Sequence, residues 1–228
     1  MQLLVSPSSL NEAKDSVAAD IIDVKKPSEG SLGANFPWVI REIKEFAQKP
    51  VSAAIGDFDY KPGGASLAAY GAACAGADYV KIGLAFEGHD QARDVISAVV
   101  KAVKDPFPKK YVVIAAYSDY ERMHTISPFD VAPIAAECGA DFAMVDTGIK
   151  DRQSTFAFMD ENALRSFTDG NRKLGLGTAL AGALKFEDID ALKRINPEII
   201  GVRGMVCGGD RNATIREDLI KKAIAIIR

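Results

Sequence analysis

The sequence predicts a single-domain (β/α)8 barrel over residues 1–228, of the α/β class. Three observations predict it. Short β-branched runs alternate strictly with longer segments of helical period. There are eight such pairs. They recur about every 28 residues, without sequence identity between units. Strict alternation implies parallel strands joined by right-handed crossovers. Eight units in one chain fit a closed barrel better than an open sheet.

In order, the strands are expected at Leu3–Ser6, Ile21–Lys25, Val51–Ile55, Tyr79–Gly83, Tyr111–Ala116, Phe142–Asp146, Leu174–Thr178 and Ile199–Arg203. The helices that follow them are expected at Leu10–Ala19, Pro37–Phe46, Ser66–Ala75, Gln91–Val103, Pro128–Cys138, Glu161–Gly170, Phe186–Ile195 and Ile215–Ile227. Gly76-Ala77, Gly139-Ala140 and Asn196-Pro197 end helices and turn the chain into the next strand. Asp78 and Asp141 each start a strand after such a turn. No linker, low-complexity tract or charge block divides the chain.

Composition narrows the function classes. The chain is 48% apolar and 26% charged, which is ordinary for a globular protein. Net charge is -3, with both signs mixed, which argues against nucleic acid or an anionic membrane as partner. A site for an anionic small molecule must then be a local basic pocket. The three cysteines, Cys74, Cys138 and Cys207, are far apart and suggest a reducing compartment without disulfides. Cys74 and Cys138 are expected as small core residues of Ala/Gly-rich helices. The N-terminus lacks the features of a signal peptide. No apolar run reaches the ~18 residues of a membrane helix. The expected location is cytoplasmic. The sequence leaves a homo-oligomer open, because outer barrel helices often pair.

The chemistry is expected on the even-numbered strands. Barrel strands alternate inward and outward with period two. That puts Ile21, Asp23 and Lys25 on one face, Tyr79, Lys81 and Gly83 on another, and Phe142, Met144 and Asp146 on a third. Alternate strands fill the same layers of a barrel interior. Asp23, Lys25, Lys81 and Asp146 can therefore meet at the mouth, and Lys150 follows Asp146 by four residues. A lone lysine at a strand end is usually a solvated rim residue. A cluster on alternate, otherwise apolar strands is not, because an inward charge is costly unless paired. Three lysines against two aspartates leave a positive surplus that suits a phosphorylated substrate. A lysine among other cations in a partly dry pocket loses basicity and can attack a carbonyl as a free amine. A carboxylate beside it can move protons.

Phosphate binding is expected from the loops after strands 7 and 8, which commonly hold it in this fold. They contain Gly182, Gly204, Gly208 and Gly209, where backbone can approach closely. Arg203 adds a guanidinium for a bidentate contact. His89 and His124 are isolated and read as surface or loop residues, with no metal-ligand spacing. Asp57 and Asp59 read as acids of an exposed turn, and Tyr117 and Tyr120 as packing near the mouth. Nothing calls for a metal or a cofactor.

These residues also resemble a known family. Leu4-Val5-Ser6-Pro7, Asp20-Ile21-Ile22-Asp23-Val24-Lys25, the run from Glu29 to Trp38, Gly76-Ala77-Asp78-Tyr79-Val80-Lys81-Ile82-Gly83-Leu84, Asp146-Thr147-Gly148-Ile149-Lys150-Asp151 and Gly201-Val202-Arg203-Gly204 are similar to the (5-formylfuran-3-yl)methyl phosphate synthases of methanofuran biosynthesis. These are also called 4-(hydroxymethyl)-2-furancarboxaldehyde-phosphate synthases. The likeness runs over nearly the whole chain and is thinnest from Pro106 to Pro128. It implies a class I aldolase-like barrel and a lyase that joins two molecules of glyceraldehyde 3-phosphate, a triose phosphate, with loss of phosphate and water. It puts the Schiff-base lysine on Lys25, its partner acid on Asp23, further lysines on Lys81 and Lys150, and a second acid on Asp146. Strand parity supplies those positions independently, but only the resemblance supplies the substrate.

Two other readings compete with it. Decarboxylases of the orotidine-phosphate kind carry D-x-K-x-x-D, and here Asp23-Val24-Lys25 is followed by Lys26-Pro27-Ser28, so the last acid is missing. A simpler triose-phosphate aldolase would release an open sugar phosphate. A non-catalytic metabolite sensor would bind without turnover, and fold alone does not exclude it.

Overall fold

The computed structural model describes residues 1–228. Strands β1 (Gln2–Val5), β2 (Ile21–Val24), β3 (Val51–Phe58), β4 (Tyr79–Leu84), β5 (Tyr111–Tyr117), β6 (Phe142–Asp146), β7 (Gly177–Leu180) and β8 (Ile199–Val202) close a parallel barrel in sequence order. Around it run α1 (Leu10–Asp15), α2 (Pro37–Ala47), α3 (Pro62–Cys74), α4 (His89–Lys104), α5 (Tyr120–Met123), α6 (Pro128–Glu137), α7 (Glu161–Lys173), α8 (Ile189–Ile195) and α9 (Glu217–Ile227). The expected single (β/α)8 barrel is what forms. No helix is long and apolar enough to cross a membrane.

Local chemistry explains the boundaries. Pro37, Pro62 and Pro128 open helices at the first position, where the missing N–H costs nothing. Gly76, Gly139 and Asn196 take positive φ and turn the chain out of α3, α6 and α8, as the sequence indicates. An acid before each even strand accepts an early amide of the neighbouring odd strand. Asp20 takes Leu3 N–H at 2.9 Å, and Asp78 takes Val51 N–H, Asp141 takes Val112 N–H and Glu198 takes Thr178 N–H, each at 2.7 Å. These four bonds tie the barrel's lower rim, the face that carries stability in this fold.

Two apolar clusters hold the layers. One of 52 buried residues fills the space between strands and helices. The other, of ten, fills the barrel itself and includes Leu4, Ile21, Ala54, Val113, Met144, Ala179 and Ile199. Toward the mouth it takes in Ala115, Ala181 and, from the loop after β2, Leu32. The inward charged positions among these apolar groups are Asp23, Lys81, Lys25 and Asp146. The barrel is therefore dry at its base and ionic at its mouth.

Three expectations need correction. β7 begins at Gly177, three residues later than expected, because α7 runs on to Lys173 and Leu174 becomes its exposed cap. Cys74 is exposed on α3 and Cys138 half-buried, so neither is a core residue, whereas Cys207 is buried. β3 runs on through a bulge at Gly56 (φ +133°) and so carries Asp57 into the interior.

Candidate active site

The four charged residues picked from strand parity, and Lys150 in the loop after Asp146, lie together. Asp23 is 0% exposed, Lys81 2%, Asp146 2% and Lys25 8%. They form two ion pairs and one unpaired lysine. Lys81 Nζ donates to both Asp23 oxygens at 2.9 Å, and Ser6 Oγ donates to Asp23 Oδ2 at 2.9 Å. Lys150 Nζ donates to Asp146 Oδ1 at 2.7 Å and to Thr147 O at 2.6 Å. Lys25 Nζ has only the Ser31 carbonyl, at 3.3 Å, and no carboxylate within ion-pair distance.

That asymmetry sets the electrostatics. Burial lowers the Lys25 pKa most. Asp146 opposes it, and the Lys81 and Lys150 charges lower it further, so it falls from 10.5 to about 8. Burial pushes both carboxyls up, but the lysines outweigh it. Lys81 and Lys25 hold Asp23 below its ordinary value, and Lys150 and Lys25 hold Asp146 below its own. The site therefore holds two carboxylates and, at neutral pH, a partly free amine.

These groups floor a cavity of about 350 Å³. Lys25, Lys81, Asp146 and Lys150 line it, but Asp23 does not; it lies beneath, as the counter-ion of Lys81. Seven Lys and Arg side chains line the wall against two Asp, in a chain of net charge -3. The local basic pocket that composition required is present.

The loops after β7 and β8 complete the wall. Gly182 (φ +97°) and Ala183 (φ +47°) turn the first loop so that the N–H groups of Gly182, Ala183 and Leu184 have no protein acceptor. Successive free amides in such a turn make an anion-binding concavity. Only glycine fits at 182, since a Cβ there would overlap Thr155 Oγ1 and meet Thr147 N at 2.7 Å. Gly204 and Gly209 line the same wall.

Two of the residues expected to bind phosphate are placed differently. Gly208 is exposed and off the cavity wall. Arg203 lines the cavity, but its guanidinium is taken: it donates to Glu12 at 2.9 and 3.0 Å, to Ser6 O at 2.7 Å and to Arg211 O at 2.6 Å. It holds the β8 loop against β1 and is not a free anion receptor. Of the two guanidinium groups that this loop puts on the cavity wall, the one left without a carboxylate is Arg211, half-buried, whose one bond is a long 3.5 Å contact to Pro27 O. Burial lowers its pKa. Sequence reading passes it over because nothing local distinguishes it from Arg203; the Glu12 pair that decides between them spans 191 residues. Asp57 also escapes the sequence reading, which puts it on an exposed turn. It is an interior acid that accepts the Leu32 amide at 3.0 and 3.1 Å and the Tyr117 hydroxyl at 2.5 Å.

Comparison with known proteins fits this geometry. The sequence profile described as 4-HFC-P synthase matches residues 3–224. The chain belongs to that family. It is 56% identical over 230 residues to the (5-formylfuran-3-yl)methyl phosphate synthase of Methanosarcina mazei, covering 99% of this chain and 98% of that one. It is 50% identical to the protein of that name from Archaeoglobus fulgidus, over 100% and 99% of the two chains. Among solved structures, 3-hexulose-6-phosphate synthase superposes with a TM-score of 0.71 at 22% identity, over 100% of each chain. KGPDC from Streptococcus mutans gives 0.69 at 16%, over 99% and 96%. At such identities these neighbours speak to the barrel alone. The family match, in contrast, spans all the segments that carry the ionic cluster.

Proposed function

We propose that this chain makes (5-formylfuran-3-yl)methyl phosphate from two molecules of glyceraldehyde 3-phosphate, through a Schiff base on Lys25, as a step of methanofuran synthesis. One observation carries the reading: Lys25 is the buried lysine at the cavity floor with no carboxylate of its own, while Lys81 and Lys150 are both ion-paired. A pKa of about 8 leaves ~10% of it as free amine at pH 7. The relatives' name supplies the product. Atom balance then requires two trioses to lose one phosphate and two waters.

Lys25 attacks the carbonyl of one triose phosphate in its dihydroxyacetone-phosphate-like form, and water leaves. Loss of the C2 proton and then of phosphate from the second triose leaves an enol, whose terminal carbon attacks the imine carbon; closure of the ring through a hydroxyl of the first triose then expels the Lys25 amine and the second water. Asp146, the buried carboxylate on the cavity wall, carries the C2 proton. Asp23 acts from below by keeping Lys81 charged. The free amides of Gly182, Ala183 and Leu184, with Arg211, take a phosphate. Lys150, on the same cavity, meets the charge that develops on the departing phosphate.

The test is borohydride trapping with glyceraldehyde 3-phosphate, read by peptide mass spectrometry. A reduced adduct on Lys25 is expected, with a yield that rises with pH through a midpoint at about 8 and levels off above it. No adduct on any lysine of the folded protein removes the Schiff-base mechanism. A furan product absorbs in the near ultraviolet, which an open sugar phosphate from a simple aldolase does not. Arg211→Met is expected to raise KM about 10- to 100-fold with a smaller change in kcat, the range for losing a charged hydrogen bond. An unchanged KM in steady-state assays removes Arg211 from phosphate binding.

A further inference from the structure

The loop after β2 covers Lys25, and an acid outside the ionic cluster ties that loop down. Asp57 accepts the Leu32 amide with both carboxylate oxygens. Tyr117, fully buried, donates its hydroxyl to Asp57 Oδ1 at 2.5 Å, which leaves Oδ2 turned to the loop. The packing here admits little slack. A Cβ on Gly83 would overlap the Tyr117 hydroxyl and meet Asp57 Oδ1 at 2.9 Å, and one on Gly30 would overlap Asp57 Oδ2. The bulge at Gly56 is what brings Asp57 inward; in regular register β3 would not deliver it there.

The far side of the loop is pinned as well. Ser31 Oγ donates to Thr147 O at 2.8 Å, the carbonyl that Lys150 also holds. Between these anchors sits the Ser31 carbonyl, the sole hydrogen-bond acceptor of Lys25 Nζ. Leu32 beside it is 0% exposed and packs into the inner apolar cluster. The loop thus does two things for Lys25: it orients the amine through the Ser31 carbonyl, and it keeps water from it.

We propose that Asp57, held by Tyr117, is a positioning residue that clamps the β2 loop over Lys25 and so keeps that amine dry and aimed into the cavity. The proposal rests on reading Lys25 as the nucleophile. Asp57 touches neither Lys25 nor the cavity wall, and its charge is not among the main ones that act on Lys25. Its effect on Lys25 must therefore pass through the loop, while its charge also acts directly on Arg211. Burial is the largest cause of the lowered Lys25 pKa. Releasing the loop admits water and returns the amine toward its ordinary value of ~10.4. Each unit of rise removes ~tenfold of the free amine at pH 7.

Competitive labelling of Lys25 with acetic anhydride across pH, read by mass spectrometry without substrate, measures that value directly. Wild type is expected to titrate near about 8. Tyr117→Phe and Asp57→Ala are expected to titrate at least one unit higher, with kcat at pH 7 falling ~10-fold or more. Asp57→Asn keeps an oxygen acceptor for Leu32 and is expected to stay near wild type. Variants that melt cooperatively yet label Lys25 as wild type does overturn the clamp, even if their rates fall. So does Asp57→Asn shifting as far as Asp57→Ala, since charge and not tethering would then be at work. If Asp57→Ala does not fold, Tyr117→Phe, which keeps the ring, decides alone. Borohydride trapping on wild type separates the two claims. No adduct there removes the Schiff-base reading, while an unchanged titration in the variants removes only the clamp.

Discussion

Lys25→Met is expected to be both inactive and more stable than wild type. The rate loss is expected to exceed ~10³-fold, because no other buried amine at the cavity floor is free of a carboxylate. The gain in stability follows from linkage. Unfolded, Lys25 keeps its proton to ~10.4; folded, only to about 8. Between those values the unfolded chain binds more protons, so this group's contribution to stability rises with pH there, and its full cost is present below about pH 8. The shift corresponds to ~3 kcal/mol. Some of that is offset, because protonated Lys25 also helps to hold Asp23 and Asp146 ionised. A net gain of about 1–3 kcal/mol at pH 7 is expected, or roughly 2–10 °C in Tm for a chain of this size. The gain should fade as pH passes from about 8 toward 10.5. Thermal melts of the variant and wild type across that range check it. A Met variant that melts lower than wild type at pH 7 would mean that the Lys25 charge is well compensated. Its lowered pKa, and the trade of stability for reactivity, would then be gone.

The ionic cluster is legible in the sequence because two periodicities coincide there. A charge within a β-branched run is anomalous by itself, and period two sends Asp23 with Lys25, Tyr79 with Lys81 and Met144 with Asp146 to one side. Alternate-strand layering then brings those sides together without knowledge of any contact. Asp57 escapes because its placement depends on a bulge. The β-branched signal ends at Ile55, and Gly56 reads as the start of a turn, whereas its positive φ lets β3 continue. β7 starts late for a related reason. Leu174 and Leu176 suggest strand, and Gly170 suggests the end of a helix. Gly170 lies on the open side of α7, with free space where a Cβ would stand, so the helix passes through it. The roles of Arg203 and Arg211 are hidden by distance. Glu12 selects between them from the other end of the chain, and only closure of β8 onto β1 brings it there. Local pattern thus locates the groups that chemistry needs, while long-range pairing decides which of them are free to act.

Lys81→Met is expected to cost far more than its conservative shape suggests, and to reverse the pH dependence of stability. In wild type the Asp23 carboxyl lies below its ordinary value despite complete burial. Lys81 and Lys25, with the hydrogen bonds that Lys81 donates, outweigh the desolvation. A lowered folded pKa contributes stability above the unfolded value of ~3.9 and loses it as pH falls through the folded value. Without Lys81, burial is the largest remaining influence and pushes the carboxyl above ~3.9. The variant is then most stable in acid and weakens as pH rises through the new value. At pH 7 an orphaned buried charge costs about 3–5 kcal/mol, on the order of 6–20 °C here. Asp23→Leu in the same chain removes the orphan and is expected to restore most of the loss, since a buried pair replaced whole by apolar groups of similar size is often neutral. The double variant should nevertheless stay inactive, because Lys81 is the member of the pair on the cavity wall. Chemical denaturation of wild type, both single variants and the double variant at pH 5 and pH 7 gives the coupling energy. If Lys81→Met costs under ~1 kcal/mol at pH 7, well short of an orphaned charge, Asp23 has found another partner and the pair does not set the site's charge balance. A full cost with a coupling of several kcal/mol would place that pair beneath Lys25 as the fixed charge against which the nucleophile's basicity is tuned.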